Sequence, residues 1–356
     1  MVSYTTESIR NIALVGHGAA GKTTLVETLL HHAGKLPTPG AVEKGNTVCD
    51  FDPQEKAHQH SLDSALVNFD YDGAHINLID TPGFPDFLGQ AIAVLPAVET
   101  AAVVINAQTG IEAVTQRMME RAGERQQCRM IIVNKIDTEN IDFPGLLDQI
   151  QDAFGKECLP INLPASGATR VSDCFFNSTG DSDFSSVAAA HSTLIDQVVE
   201  VDEDLMALYL EQGEDLQPEQ LHAPFEKAMR EGHLVPICFV SARTGAGIKE
   251  LLDAFVKLLP NPTEGNSEPL LKGEAATETS HSIPEPQQHA VAHVFKVLID
   301  PFIGKLGIFR ILQGTVTKDS QLYIGDSRKP FKVSHLFHVH GKEHPEVATG
   351  IPGDLC

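Results

Sequence analysis

The stretch Gly16-His17-Gly18-Ala19-Ala20-Gly21-Lys22-Thr23 decides how the rest of the chain is read. The apolar run Ile12-Ala13-Leu14-Val15 precedes it, and Leu25, Val26, Leu29 and Leu30 follow at helical spacing. Glycines in Gly-x-x-x-x-Gly-Lys-Thr let the backbone curl until several N–H groups face one concavity. The start of the following helix adds partial positive charge at the same place. Lys22 then reaches toward the β- and γ-phosphates of a nucleotide, and the Thr23 hydroxyl toward Mg²⁺. A glycine-rich turn without a ligand is the competing reading, but it does not call for a Lys-Thr pair between a strand and a helix.

Three further stretches follow in the order that a nucleotide site requires. A hairpin, Leu66–Tyr71 and Ala74–Ile79 with Asp72-Gly73 at its turn, delivers Asp80-Thr81-Pro82-Gly83. A carboxylate at the C-terminal end of a strand stands where ligands bind in open α/β sheets, so Asp80 is a second Mg²⁺ group. Gly83 leaves its N–H free to meet a γ-phosphate and permits a flip when that phosphate is lost. Two short apolar strands are expected at Ala101–Asn106 and Met130–Val133, and the second runs into Asn134-Lys135-Ile136-Asp137. Asp137 can accept from guanine N1–H and its exocyclic amine, donors that adenine does not offer in that pattern. Asn134 can hold O6/N7 and the neighbouring loop, and the Lys135 stem can lie over the purine. A site with such acceptors rejects ATP, because the wrong base leaves them unpaired. Finally, Ile237–Val240 leads into Ser241-Ala242-Arg243, where the Ala242 N–H is placed to donate to guanine O6.

The chain has 356 residues with Lys+Arg 26 against Asp+Glu 48, a net charge of −22. That balance argues against free DNA binding, which runs on counterion release by basic side chains. No apolar run approaches the ~18 residues of a membrane span, and no basic-then-apolar leader opens the chain. The six cysteines are scattered without Cys-x-x-Cys, which fits free thiols in a reducing cytoplasm.

Spacing divides the chain. A crossover between parallel strands needs roughly 30 residues, and the chain spends far more than that between Asp137 and Ser241. An α+β subdomain inserted over about 155–235 is expected, with irregular Ser166–Ser186, helical Ala188–Glu211 and amphipathic Gln217–Glu231. Its acidic run Glu200–Asp204 reads as a solvated helix face. Residues 35–60 read as a long irregular loop, which is functional or disordered in a compact domain. A GTPase-type domain over 1–262, a Pro/Glu/Ser-rich linker over 263–288 and an incomplete β-barrel over 289–356 complete the organisation. Strands are expected at Val291–Ile299, Gly307–Gln313, Gln321–Ile324 and Lys332–His338, with no closing strand after Gly350. His335, His338, His340 and His344 read as strand and loop residues, since no carboxylate or cysteine joins them at a metal-site spacing. The fold class is α/β: a phosphate-loop domain with a mostly parallel sheet and helices on both faces, its insertion, and a partial all-β barrel.

These motifs in this order resemble elongation factor G and its relatives among the ribosomal GTPases. The resemblance rests on Gly16–Thr24, Asp80–Phe87, Asn134–Asp137 and Ser241–Gly247. It extends to Ile161-Asn162-Leu163-Pro164, Leu258-Leu259-Pro260-Asn261-Pro262, Asp300-Pro301 with Gly304, and Gly314-Thr315. It implies GTP and GDP as ligands, Mg²⁺ held by Thr23, Ser61 and Asp80, and a ribosomal partner in the cytoplasm. It also implies that Ser61 takes the place of the switch-one threonine. Lys22, Thr23, Ser61 and Gly83 become the catalytic set. The chain reads as a monomeric N-terminal fragment, closest in pattern to the divergent elongation-factor-G-like paralogues.

The departures are specific. Ala19 replaces an aspartate, and His58-Gln59-His60-Ser61 replaces Arg-Gly-Ile-Thr. Phe84 stands where the family has the water-positioning histidine, and a phenyl ring cannot hold water for in-line attack. Two functions are therefore expected to compete: a ribosomal GTP hydrolase, and a GTP-binding switch that hydrolyses slowly. An ATP-dependent kinase or ATPase is set aside by the base-reading Asn134–Asp137.

Overall fold

Residues 12–15 and 101–105 are apolar on both sides of the chain, which suits strands buried on two faces. In the computed structural model, residues 4–202, 205–207, 209, 218–266, 270–272, 278–300, 304–325 and 327–356 are described. The strands are β1 (Ile9–Val15), β2 (Ala65–Tyr71), β3 (Ala74–Asp80), β4 (Thr100–Asn106), β5 (Cys128–Asn134), β6 (Cys158–Pro160), β7 (Asn162–Ala165), β8 (Arg170–Asp173) and β9 (Val235–Phe239). Seven of them form one sheet in the order β2-β3-β1-β4-β5-β9-β6. Only β2 runs antiparallel, through a two-residue turn at Asp72-Gly73 with both residues at positive φ.

Helices cover both faces: α1 (Lys22–His32), α2 (Pro53–His58), α3 (Leu88–Val94), α4 (Ala113–Glu124), α5 (Phe143–Phe154), α6 (Val187–Val199), α7 (Pro218–Glu231) and α8 (Ile248–Lys257). Strand alternation sorts the core into two layers. Ile12, Leu14, Val104 and Ile132 pack with α1 and α8 on one face. Ala13, Val15, Val103 and Ile131 pack with α3 and α4 on the other.

Strands were expected one to three residues too short at β1, β4 and β5, because polar residues such as Arg10 and Thr100 are carried inside the sheet. The run 35–60 is not irregular throughout. Asp52-Pro53 opens α2, Asp52 Oδ1 accepts from the Gln54 N–H at 2.7 Å, and Glu55 returns to the Asp52 N–H.

After α5 the chain returns to the sheet as β6, parallel to β9, and leaves it beyond Pro160, a little past the expected boundary near 155. The β7–β8 hairpin runs through the stretch read as irregular, and α6 ends at Val199, short of the expected helix. Part of Glu200–Asp204 and much of 208–217 fall outside the described residues.

Beyond α8, β10 (Leu270–Lys272) pairs with β11 (Glu278–Ser280) inside the stretch expected to be linker. The long hairpin of β12 (Val291–Asp300) and β13 (Gly304–Gln313) dominates the β-rich segment. The expected strand Lys332–His338 is corrected to Phe331–Lys332, paired with Gln321–Leu322. Beyond Lys332 the chain turns in toward β2, where it meets Asn68 through Val339 and His340. The final residues, expected to contribute no strand, lie along β13: Phe309 and Cys356 exchange backbone hydrogen bonds at 2.8 and 2.9 Å. His338, Asp354 and Cys356, distant in sequence, place their donor atoms within 4.8 Å of one another. The Asp354 oxygens accept from the Tyr4 hydroxyl and the Ile351 N–H, both at 2.8 Å. Among the described residues no helix is long and apolar enough to cross a membrane, and all six cysteines are free and buried.

Candidate nucleotide site

Parallel pairing puts the ends of β1, β3, β5 and β9 on one edge of the sheet. Each end opens into one of the four stretches singled out in the sequence. Strand order sets their sides: the loop after β1 adjoins that after β3, and the loop after β5 adjoins that after β9.

On the first side, Gly21 closes the loop at φ +91° as the residue before α1, and a Cβ there would meet Asn134 Nδ2 at 2.6 Å. Lys22 is buried, and its ammonium donates to the carbonyls of Gly16 at 2.8 Å and His17 at 2.9 Å. Gly83 comes so close that a Cβ would lie 2.5 Å from both the Gly18 nitrogen and Lys22 Nζ. Ala19 holds φ +61°, a left-handed conformation that costs an alanine more than an aspartate or asparagine. His17 lies 3.4 Å from Glu112, while the Thr81 hydroxyl donates to Leu14 O at 2.7 Å and pins the turn before Pro82.

Four oxygen-bearing side chains converge below the loop. The Thr23 hydroxyl donates to Asp80 Oδ2 at 2.7 Å and lies 3.2 Å from Ser61 Oγ, which donates to Asp50 Oδ1 at 2.8 Å. Asp80 Oδ1 and Asp50 Oδ2 are buried without a hydrogen-bond partner. Burial pushes the Asp80 carboxyl up and the Lys22 ammonium down, and each opposes the other's shift. Orphaned carboxylate oxygens beside two hydroxyls are the donor set of a hard, oxygen-liganding divalent cation, so these residues fit Mg²⁺. Asp50 was not singled out from the sequence. It lies in the long loop before Ser61, and no local pattern marks it.

On the second side, one amide joins three loops. Asn134 Nδ2 donates to Ala20 O at 2.9 Å, and its Oδ1 accepts from the N–H groups of Lys135 at 2.8 Å and Ala242 at 3.0 Å. Asp137 accepts from Ser241 Oγ at 2.6 Å and pairs with Arg243 at 2.7 Å. The Arg243 side chain is 80% exposed, and exposed pairs are worth little, so this one yields readily to another partner. The cleft itself is lined by Gly18, Ala19, Gly21, Lys22, Thr23 and Thr24 on one wall. Ser61, Thr81, Gly83, Phe84, Lys135 and, from the long loop, Val42, Glu43, Asp50, Gln59 and His60 complete it.

Residues 7–261 match the family described as elongation factor Tu GTP binding domain. An elongation factor G-like protein of Mycobacterium tuberculosis (strain ATCC 25618 / H37Rv) is 31% identical over 379 residues, covering 98% of this chain and 52% of its own. Elongation factor G of Thermotoga maritima is 28% identical over 371 residues, covering 98% and 53%. A crystal structure from Thermus thermophilus superposes with a TM-score of 0.82 at 30% identity, covering 98% of this chain and 52% of that one. The chain thus spans about half the length of the curated relatives it matches. With these likenesses added to the four loops on one sheet edge, the chain belongs to the elongation factor G family of translational GTPases.

Proposed function

We propose that this chain binds GTP and GDP with Mg²⁺ and hydrolyses GTP on the ribosome, using segments 35–63 and 80–87 as nucleotide-ordered switches. The convergence of Thr23, Ser61 and Asp80 beside Lys22 carries this reading. Thr23, Ser61 and Asp80 are the residues that would hold Mg²⁺, which neutralises charge on the phosphate oxygens when bound. The Gly16–Thr24 loop and Lys22 grip the phosphates, and Gly83 meets the γ-phosphate. Asn134, Lys135, Asp137, Ser241, Ala242 and Arg243 frame the base. In hydrolysis a water oxygen bonds to the γ-phosphorus as the bond to the bridging oxygen breaks. GDP leaves, and the water proton passes to a phosphate oxygen. We read residues 1–262 as the GTPase domain with its insertion, 263–288 as the connection and 289–356 as part of a second domain. On this reading the chain works as a monomer in the cytoplasm.

A second reading is favoured by Phe84, which lines the cleft with a ring that cannot hold water, at the position where the resemblance implies a histidine. On it the chain is a GTP-binding switch with slow turnover.

Asp137→Asn tests the base assignment. Replacing the acceptor for the guanine amine by a donor loses one charged hydrogen bond of about 1.5–3 kcal/mol and is expected to weaken GTP binding by about tenfold or more. Unchanged affinity in a fluorescent-GTP titration removes the guanine reading. Phosphate release with and without ribosomes separates the two functions: strong stimulation supports the hydrolase, and none supports the switch.

A further inference from the structure

Phe84 lines the cleft with a ring that cannot hold water. It does not stand alone there. The ring of His60 packs on Phe84 with centroids 4.6 Å apart and also lies 6.1 Å from Phe87. Both His60 and Phe84 line the cleft, and His60 directly precedes Ser61, whose hydroxyl reaches Thr23. An imidazole thus stands beside the phenyl ring, supplied from the other switch segment.

The tautomer is set by its neighbour. His60 Nδ1 lies 3.3 Å from the Ser61 carbonyl oxygen. A carbonyl only accepts, so Nδ1 is the nitrogen that donates, and in the neutral ring Nε2 keeps its lone pair. Phe84 and Phe87 support the ring without competing for that lone pair. Other polar groups of this wall are less suited. Asp50 Oδ1 is occupied by Ser61, and Gln59 is exposed at the left-handed end of α2.

We propose that His60 positions the attacking water in this chain, its Nε2 accepting a hydrogen bond from the water while Phe84 serves as the apolar wall that orients the ring. The inference rests on the GTPase reading above. In the step itself, the water oxygen forms the bond to the γ-phosphorus and the bond to the β–γ bridging oxygen breaks, giving GDP and phosphate. The water proton ends on phosphate, and His60 holds the water's orientation without being consumed. Slow hydrolysis is then not the necessary consequence of Phe84.

Three variants and two readouts test this. His60→Leu keeps the bulk against Phe84 and removes the acceptor, whereas His60→Gln keeps an acceptor. Gln116→Ala on the exposed face of α4 is the control outside the cleft. Single-turnover GTP hydrolysis at saturating nucleotide is expected to fall on the order of 100-fold in His60→Leu, the lower range for a positioned proton-accepting group. It is expected to stay within about tenfold of the parent in His60→Gln and to change little in Gln116→Ala. Binding supplies the readout independent of turnover. GTP and GDP affinities are expected to stay within about twofold in His60→Leu, which also establishes that the variant is folded. The extra affinity that aluminium fluoride, a mimic of the transferring phosphoryl group with its water in line, gives to GDP is expected to be lost.

Equal rates in His60→Leu and the parent overturn the inference, as does a rate in His60→Gln no higher than in His60→Leu. A larger loss in Gln116→Ala also overturns it. So does a parent chain that binds GTP yet hydrolyses none with or without ribosomes, and there the nucleotide-binding reading stands. Failure of the parent to bind guanine nucleotide overturns both.

Discussion

Lys22 shows how a single residue is committed before any nucleotide is considered. Its ammonium is buried and held by two loop carbonyls, so the charge points into the concavity instead of into solvent. A close charge pair in such a partly dry site is worth about 4 kcal/mol at an effective dielectric near 20. Lys22→Ala is therefore expected to weaken GTP and GDP binding by on the order of 1,000-fold, read by equilibrium titration with a fluorescent nucleotide. Normal affinity would falsify the assignment of this loop to the phosphates. Residues of this kind were legible because loop chemistry fixes both their type and their spacing. Asp50 and His60 were not legible as site residues. Their positions depend on how the long loop folds back over α1, and no motif encodes that path.

At the scale of elements, the fold-back has an identifiable anchor. Glu27 on α1 is fully buried, and its carboxylate accepts from the N–H groups of Gly40 at 2.8 Å and Val48 at 2.6 Å. A loop that reads as featureless is thus tied at two points to the helix that follows the phosphate loop. Each buried N–H left without a partner costs about 1–3 kcal/mol. Glu27→Ala is expected to lower the melting temperature and to speed amide exchange at Gly40 and Val48. Unchanged exchange at both sites would remove Glu27 as the anchor. Strand positions were read well where both faces are apolar, as in β4 and β5. The β-rich segment was read less well, because tertiary pairing decides it: Lys332–His338 has strand-like residues, but its later half is spent on contacts with β2 and on isolated bridges. The edge strand β6 was missed since three residues carry too little pattern to register.

At the scale of the molecule, the β-rich segment is stitched to the first domain along several lines. Glu99 pairs with Arg310 in a buried contact, Lys296 reaches Asp63 at 2.9 Å, and Asn11 Nδ2 donates to Gly353 O at 2.9 Å. Two histidines at this seam are shifted toward the neutral form. Burial lowers His338, which faces Tyr4, His75 and Asp354, the last opposing the shift. Burial also lowers His340, with Lys35 adding to the effect and Glu343 opposing it, and its Nδ1 accepts from the Asn68 N–H at 3.2 Å. In the unfolded chain both titrate near 6.5. Below that value the unfolded state takes up protons that the folded state resists, so stability is lost as pH falls through 6.5 toward the lower folded values and is retained above it. Melting temperatures measured from pH 7.5 to 5.5 are expected to fall on acidification, and the double variant His338→Gln/His340→Gln is expected to fall less steeply. Parallel curves would show that these two rings do not govern the seam.

The amide of Asn134 has a consequence for how a ligand departs. Because that one side chain latches the Ala20 carbonyl, the Lys135 N–H and the Ala242 N–H together, the two halves of the cleft share a single clasp. Any effector that pried the clasp open would slacken its hold on both ends of the nucleotide at once. Exchange by such a route would run as one concerted release, without a half-bound intermediate waiting on its second end.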